Sequence, residues 1–433
     1  MLKKLSFCNS YSYMEEAKLN MGAKLSTTNT DEDGRPLPEN VIMHEVVRNR
    51  VPGAESGILP VAAIYGKNAG GKTKLLKTIG DIASDALGDT FSAVTVHSSL
   101  SPFEQIVSKR QFTLVDEDRI NKTIEYAIHV VIDNIEYKLE YSLDSEGIKK
   151  EKVTKRENRH NASDDMLYNR NGLEYEEGSD ETINSYLTLM KNRGEAQLWF
   201  PLIAPAIKGL KSVYEWFRRV RDGMVLNHAA NEEKMFKEIA SRIRDGKDEP
   251  FRKKLLKFLK HLDESVEDVD GKIIQNNPSL WVYHNNKYRH EGNGGSWAHM
   301  IEEESAGTRR LIEMFPLIDR VLEQGMPFIC DELDRVLHPV VFKQLVRMFN
   351  SPEINKNNAQ LIFTAHDTIV LDSDLLRLDE VHIVNKNKIA ISSIDRLSDM
   401  AGVEDYTDME RDFRTGFYGS IPKDFSKSYG GVN

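Results

Sequence analysis

A chain of 433 residues can bury a large core in two or three domains or in one elaborated domain, and its 40 % hydrophobic and 29 % charged residues are ordinary for a soluble globular protein. The formal charge of −10, from 58 Lys and Arg against 68 Asp and Glu, excludes a wholly basic nucleic-acid protein but leaves room for a local basic surface. No run reaches the roughly eighteen uncharged apolar residues of a membrane span, and Met1-Leu2-Lys3-Lys4-Leu5 lacks the apolar core of a signal peptide, so a cytoplasmic protein with no membrane partner is expected.

Residues 2–7 read as a strand. A polar loop over 26–40, with Asp33-Gly34 and Pro36-Leu37-Pro38, separates it from a second apolar run at 41–47. The run Val61-Ala62-Ala63-Ile64-Tyr65 then delivers Gly66-Lys67-Asn68-Ala69-Gly70-Gly71-Lys72-Thr73, and Leu75, Leu76 and Ile79 continue with helical spacing. This is a Walker A loop in the setting its physics requires: a buried strand delivers it, glycines let backbone N–H groups curl around phosphates, and a helix N-terminus adds partial positive charge. Gly66, Asn68, Ala69, Gly70 and Gly71 form the candidate ATP cradle, Lys72 would reach the β- and γ-phosphates, and the Thr73 hydroxyl would hold Mg²⁺. The plain alternative is a glycine-rich turn with an incidental lysine.

Beyond the Walker helix, residues 112–115, 124–133 and 135–143 alternate apolar with polar side chains, which predicts antiparallel sheet with a tight turn at Asp133-Asn134. The pattern continues over 149–156 and at Met166-Leu167-Tyr168, with a polar loop between. From 181 to 269 the period turns helical. Leu255, Leu256, Phe258, Leu259 and Leu262 share one face, with Lys253, Lys254, Lys257 and Lys260 as a basic group that is either a solvated helix face or a nucleic-acid contact. A hairpin is expected around 273–288, followed by Gly292-Asn293-Gly294-Gly295. Sustained heptads are absent, so no long coiled-coil arm is expected. Cys8 and Cys330 are far apart with no CxxC partner, and core packing is their expected role.

The last third carries a Walker B pattern, Phe328-Ile329-Cys330-Asp331-Glu332, after a helix-like stretch over 311–322 and the break Gln324-Gly325-Met326-Pro327. A strand ending there would bring Asp331 to the Mg²⁺ and leave Glu332 to orient and polarise the attacking water. Upstream by 26 residues, Ser305 opens Ser305-Ala306-Gly307-Thr308-Arg309-Arg310. A capped helix N-terminus with a nearby glycine is both an ordinary N-cap by Ser305 or Thr308 and an anion site. His366, in Gln360-Leu361-Ile362-Phe363-Thr364-Ala365-His366-Asp367, falls 34 residues after Glu332, where a γ-phosphate sensor belongs.

In this order the residues resemble ABC-type ATPases, in particular the SMC- and RecF-like branch, with Ser305-Ala306-Gly307 as signature, Leu333-Asp334 as D-loop and His366 as switch histidine. The stretch from Asp331 through His338-Pro339, the Phe363-to-Thr368 stretch and the tail from Arg411 to Pro422 are similar to the AAA_15/AAA_21 ATPases of bacterial phage-defence loci, which include abortive-infection, PARIS, retron and Septu ATPases. The specific motifs occupy 66–73, 305–372 and the tail. The signature reads Ser-Ala-Gly-Thr, unlike that of transporters. Gln105 is the named Q-loop candidate, set against a surface glutamine after a proline turn, and the aromatic contact to adenine is unassigned.

The resemblance implies an α/β fold, an ABC-type P-loop ATPase head with an antiparallel β subdomain and an inserted helical subdomain. The expected divisions are an N-terminal lobe with Walker A (1–95), a β-rich segment (96–180), a helical insertion with hairpin (181–295) and a C-terminal lobe (296–433). It implies Mg²⁺-dependent ATP hydrolysis in a homodimer, with Lys72, Thr73, Asp331 and Glu332 from one subunit and Ser305 and Gly307 in trans, Asp334 as a further ATP-binding residue and His366 as a further catalytic one; assembly into larger rings is compatible with this. The implied role is the ATPase or sensor of an anti-phage system with a separately encoded toxic effector such as a nuclease. The alternative is an SMC- or RecF-like DNA-binding maintenance ATPase. With 67 residues after His366, no nuclease domain of its own is expected, and the acidic stretch 404–412 reads as solvated rather than metal-binding.

Overall fold

The computed structural model describes residues 1–23, 57–92, 100–111, 123–159, 162–226, 232–285, 297–403 and 408–419. The expected loop at 26–40, the strand at 41–47, the run at 112–115, the glycines at 292–295, acidic residues 404–407 and tail residues 420–422 lie outside them. In chain order the strands begin β1 (Leu2–Cys8), β2 (Ala17–Asn20), β3 (Val61–Gly66), β4 (Ile124–Ile132), β5 (Ile135–Asp144), β6 (Gly147–Glu157), β7 (Asp165–Asn171) and β8 (Glu174–Glu177). They continue as β9 (Met224–Val225), β10 (Val266–Ile274), β11 (Asn277–His284), β12 (Trp297–Met300), β13 (Pro327–Cys330), β14 (Gln360–Thr364), β15 (Val381–Lys386) and β16 (Ser392–Arg396).

One sheet runs in the order β16-β15-β3-β14-β13-β9, parallel throughout except for the β15–β16 pair. Every residue of β3, β13 and β14 is buried, as expected of strands covered on both faces, and this is why they read as unbroken apolar runs rather than alternations. The order matters for the site. β14 pairs with both β3 and β13, so the loop after the Walker A strand, the end of the Walker B strand and the end of the histidine strand open at one edge of the sheet.

A second sheet, β2-β1-β4-β5-β6-β7-β8, is antiparallel between every pair of neighbours. The predicted turn joins β4 to β5 with Asp133 and Asn134 both at positive φ, 50° and 62°, the left-handed pair that a tight two-residue hairpin demands. The helices Glu181–Arg193 and Lys208–Asp222 share an apolar core with this sheet and with the Walker helix Lys72–Leu87. Glu151 stitches that core together. Its buried carboxylate accepts from Arg170 Nε (2.7 Å), Tyr168 OH (2.7 Å) and the backbone N–H groups of Trp199 (2.9 Å) and Phe200 (2.8 Å), so the cost of burying the charge is met by full hydrogen bonding. β8 carries no apolar alternation in Glu-Tyr-Glu-Glu, which is why the sequence does not announce it.

The third sheet, β10-β11-β12, packs with helices Glu232–Ile243 and Glu249–Leu262 around a small core of its own. Phe251, Leu255 and Leu259 form the buried stripe of the second helix, and Lys253, Lys254, Lys257 and Lys260 lie exposed, with Lys254 paired to Asp319 at 2.9 Å and also to Glu323. That is the solvated-face arrangement. The helical reading to 269 is corrected: the helix stops at Leu262 and β10 begins at Val266, and the hairpin expected around 273–288 spans Val266–His284 and turns at Gln275-Asn276. A bulge between Val266 and Asp268 explains the misreading, because it puts the two buried valines, Val266 and Val269, three residues apart and so imitates a helical period. The whole is α/β, a largely parallel sheet that carries the glycine loop, with an antiparallel β subdomain and a helical subdomain, as the resemblance implied.

Candidate active site

The loop Gly66 to Thr73 is shaped by close approach. A Cβ on Gly66 would sit 2.1 Å from the carbonyl oxygen of Val384 in β15, and one on Gly71, at φ 120°, would sit 2.7 Å from Ser392 Oγ, so no side chain is accommodated at either position. The loop is braced from below. Ser392 Oγ donates to the Gly70 carbonyl at 2.6 Å, and Tyr13 OH to the Gly71 carbonyl at 3.2 Å. Asn68 and Ala69 stand exposed at the tip, with Ala69 at φ 60°.

Lys72 opens the following helix and folds back over the loop, its ammonium donating to the carbonyls of Gly66 (2.8 Å) and Lys67 (3.2 Å). Burial lowers its pKa, opposed by the negative charges of Asp331, Asp334 and Glu332. Thr73 Oγ1 donates to Asp331 Oδ2 at 2.7 Å, so the Walker A and Walker B residues meet across 258 positions of sequence. The other oxygen of Asp331 accepts from Thr364 Oγ1 at 2.5 Å, and that same Thr364 oxygen accepts the backbone N–H of Glu332 at 2.8 Å. One hydroxyl at the end of β14 thereby positions both acidic residues.

Glu332 has φ 48°, an uncommon conformation for a side chain of its size, which cooperative packing holds at a cost of about 1–3 kcal/mol and which clusters at functional positions. Its carboxylate, 41 % exposed, is 3.5 Å from Arg335 Nη1 and 3.9 Å from His366 Nε2. Asp334 holds the histidine segment: its Oδ2 accepts the backbone N–H groups of His366 (2.8 Å) and Asp367 (2.7 Å). Lys72, Thr73, Asp331, Glu332, Asp334 and His366 are thus brought into one neighbourhood.

Ser305 and Gly307 lie at the start of the helix Ala306–Gln324. Ser305 is exposed and caps the helix Ala306–Gln324 by accepting the Thr308 N–H at 3.1 Å, and a Cβ on Gly307 would come within 2.9 Å of the Val336 carbonyl. Among the described residues no hydrogen bond joins either to the Gly66–Thr73 loop of the same chain.

Gln105 is corrected on its surroundings. It is buried in the helix Pro102–Arg110, its Nε2 donating to the Leu100 carbonyl at 3.0 Å, so it is not a surface residue after a turn. Ser101 and Glu104 form a complete capping box there, a sequence signal for this helix that went unused. Cys330 is buried in β13, where burial pushes its thiol up to about 12, and Cys8 donates to the Met14 carbonyl at 3.2 Å. From the acidic segment, Glu410 accepts from Thr368 Oγ1 at 2.9 Å, and no metal-ligand cluster involves it among the described residues.

Sequence reasoning missed Thr364 and Ser392 as site residues. Thr364 ends a buried apolar run with a hydroxyl, which is a readable signal. Ser392 lies 322 residues from Gly70 and carries none. Replacing Thr364 by Val leaves the Glu332 N–H and an Asp331 oxygen each one partner short, at about 1–3 kcal/mol per group, so turnover should fall by about thirtyfold or more, with a smaller effect on nucleotide affinity. A phosphate-release assay beside a nucleotide titration checks this, and a turnover number within about twofold of the parent would remove Thr364 from the site.

The family described as "AAA domain, putative AbiEii toxin, Type IV TA system" (AAA_21) matches residues 61–372. Among solved structures, the chain is similar to the crystal structure of the SmcHead bound to the C-winged helix domain of ScpA, with 12 % identity, a TM-score of 0.46, and coverage of 91 % of this chain and 96 % of that one. No curated protein sequence matches.

Proposed function

We propose, from the premise that this chain belongs to the AAA_21 family of AAA ATPase domains, that it is an ATP-hydrolysing switch whose active site is completed by a second copy of itself. The observation that carries this reading is the single carboxylate of Asp331 held between Thr73 and Thr364, with Glu332 turned at positive φ beside it. A divalent cation suits this set: hydroxyl and carboxylate oxygens are hard donors, they lie 2.7 Å apart, and they flank a glycine cradle that any Cβ would fill. Thr73 and Asp331 would hold Mg²⁺, which when bound neutralises phosphate charge. Lys72 binds and orients the phosphates, Glu332 holds the attacking water and takes its proton, and His366 senses the γ-phosphate from beside Glu332. Ser305, exposed at a helix N-terminus, and the half-buried Gly307, neither hydrogen-bonded to their own chain's loop among the described residues, serve the partner's nucleotide. ATP then acts as the adhesive of the dimer, and hydrolysis loosens it.

In the cell this switch is the ATPase or sensor of an anti-phage defence system that controls a separately encoded toxic effector such as a nuclease. The family's description as a putative AbiEii toxin of a Type IV TA system supports a toxin–antitoxin setting for this domain. No described helix is long and apolar enough to cross a membrane. Co-expression of the chain with its neighbouring gene under phage challenge tests the role: protection should require both genes and an intact Lys72. Absence of protection, together with DNA-damage sensitivity on deletion, would instead establish a DNA-maintenance ATPase.

A further inference from the structure

His284 ends β11, His299 lies in β12 and Glu304 directly precedes Ser305. The strand register pairs His284 with Trp297 and Val282 with His299, so the two histidines are diagonal neighbours on one face, their rings stacked at 5.0 Å and 21°. Both Nε2 atoms converge on a single oxygen, Glu304 Oε1, at 2.9 Å from His284 and 2.7 Å from His299. The three side chains are only 11 %, 8 % and 9 % exposed. A carboxylate has two oxygens, and two imidazoles that merely donated to it could take one each. Here both imidazole nitrogens meet the same oxygen, and the three candidate ligand atoms all lie within 4.8 Å of one another.

We propose that His284, His299 and Glu304 form a binding site for a zinc-class divalent ion. Two imidazole nitrogens and one carboxylate oxygen are a ligand set that zinc accepts, with water in the fourth position. Bond lengths of about 2.0–2.1 Å put tetrahedral ligand atoms about 3.3 Å apart, so the two nitrogen–oxygen contacts at 2.9 and 2.7 Å need to open by about half an ångström, within the reach of side-chain rotation. The surroundings orient His284 as such a site requires. Ser265 Oγ lies 2.7 Å from His284 Nδ1 and can accept its proton, the tautomer that leaves Nε2 to an ion. The ion ties the β10-β11-β12 sheet to residue 304 and so fixes the approach to the signature helix. That consequence rests on the reading of Ser305 given above, whereas metal binding does not.

The test uses the full chain, stripped with a chelator and titrated with Co²⁺ and then Zn²⁺ without nucleotide. One Co²⁺ per chain with the visible absorption of a tetrahedral site, displaced by Zn²⁺, is expected. His299→Gln and Glu304→Gln should lose it, while Asp331→Asn should keep it. Because loss of a buried ligand can unfold the subdomain, His299→Cys is the second variant: it keeps a ligand and should add a thiolate-to-metal charge-transfer band. Absence of stoichiometric Co²⁺ in the parent chain, or a spectrum unchanged in His299→Cys, would overturn the proposal. Failure of ATP hydrolysis with metal binding intact would count against the ATPase reading alone.

Discussion

Glu332→Gln is expected to lower ATP hydrolysis by roughly 10²–10⁴-fold, the usual contribution of a positioned general base, while leaving nucleotide binding in place. The substitution keeps the shape of the side chain and removes its ability to take a proton. The backbone at φ 48° and the N–H bond to Thr364 are indifferent to that change, so the site should stay assembled. Arg335 and His366, at 3.5 and 3.9 Å, lose a charged neighbour that is 41 % exposed and therefore screened by water. In the proposed composite site, the variant should accumulate as an ATP-bound dimer, visible by size-exclusion chromatography with light scattering in the presence of ATP and Mg²⁺. Hydrolysis at the parental rate would take Glu332 out of the mechanism, and a monomer under these conditions would count against completion of the site by a second copy.

Lys72→Ala should lose nucleotide binding outright at ordinary ligand concentrations. Its ammonium is buried and makes two hydrogen bonds to loop carbonyls, which are neutral acceptors. Phosphate oxygens are charged acceptors and compete for the same donors at about 1.5–3 kcal/mol per bond. Loss of two such bonds raises the dissociation constant by roughly 10²–10⁴-fold, since every 1.4 kcal/mol is about tenfold. Burial lowers the pKa of this ammonium, and Asp331, Asp334 and Glu332 oppose the shift, so the three carboxylates also keep the charge available for phosphate. Titration with a fluorescent ATP analogue measures the effect. An affinity within about tenfold of the parent would mean that the loop is a glycine turn and not a phosphate cradle.

The Walker A and Walker B strands were legible because both faces of each are buried, and total burial writes itself as an unbroken apolar run next to glycines or carboxylates. The β4–β5 hairpin was legible because half-burial alternates and because Asp-Asn is the chemistry of a left-handed turn. The start of β10 was not, because a bulge changed the spacing of Val266 and Val269 without changing their burial. The helix Pro102–Arg110 carries its signal in the capping box of Ser101 and Glu104, while the burial of Gln105 depends on packing that no local pattern encodes.

Local chemistry is carried by neighbours in the chain, and so the residue types of the loop, the paired carboxylates and the strand-end histidine were readable from their own short segments. Distances across the sheet are another matter. That Thr364 bridges Asp331 and Glu332 follows from β14 inserting between β3 and β13, an ordering no local segment encodes. Ser392 beneath Gly70 and the meeting of His284 with His299 and Glu304 depend in the same way on strand pairing, which joins residues far apart in sequence by backbone hydrogen bonds common to all residue types. Backbone pairing carries no side-chain label, and so these contacts come into view only once the strands are in register.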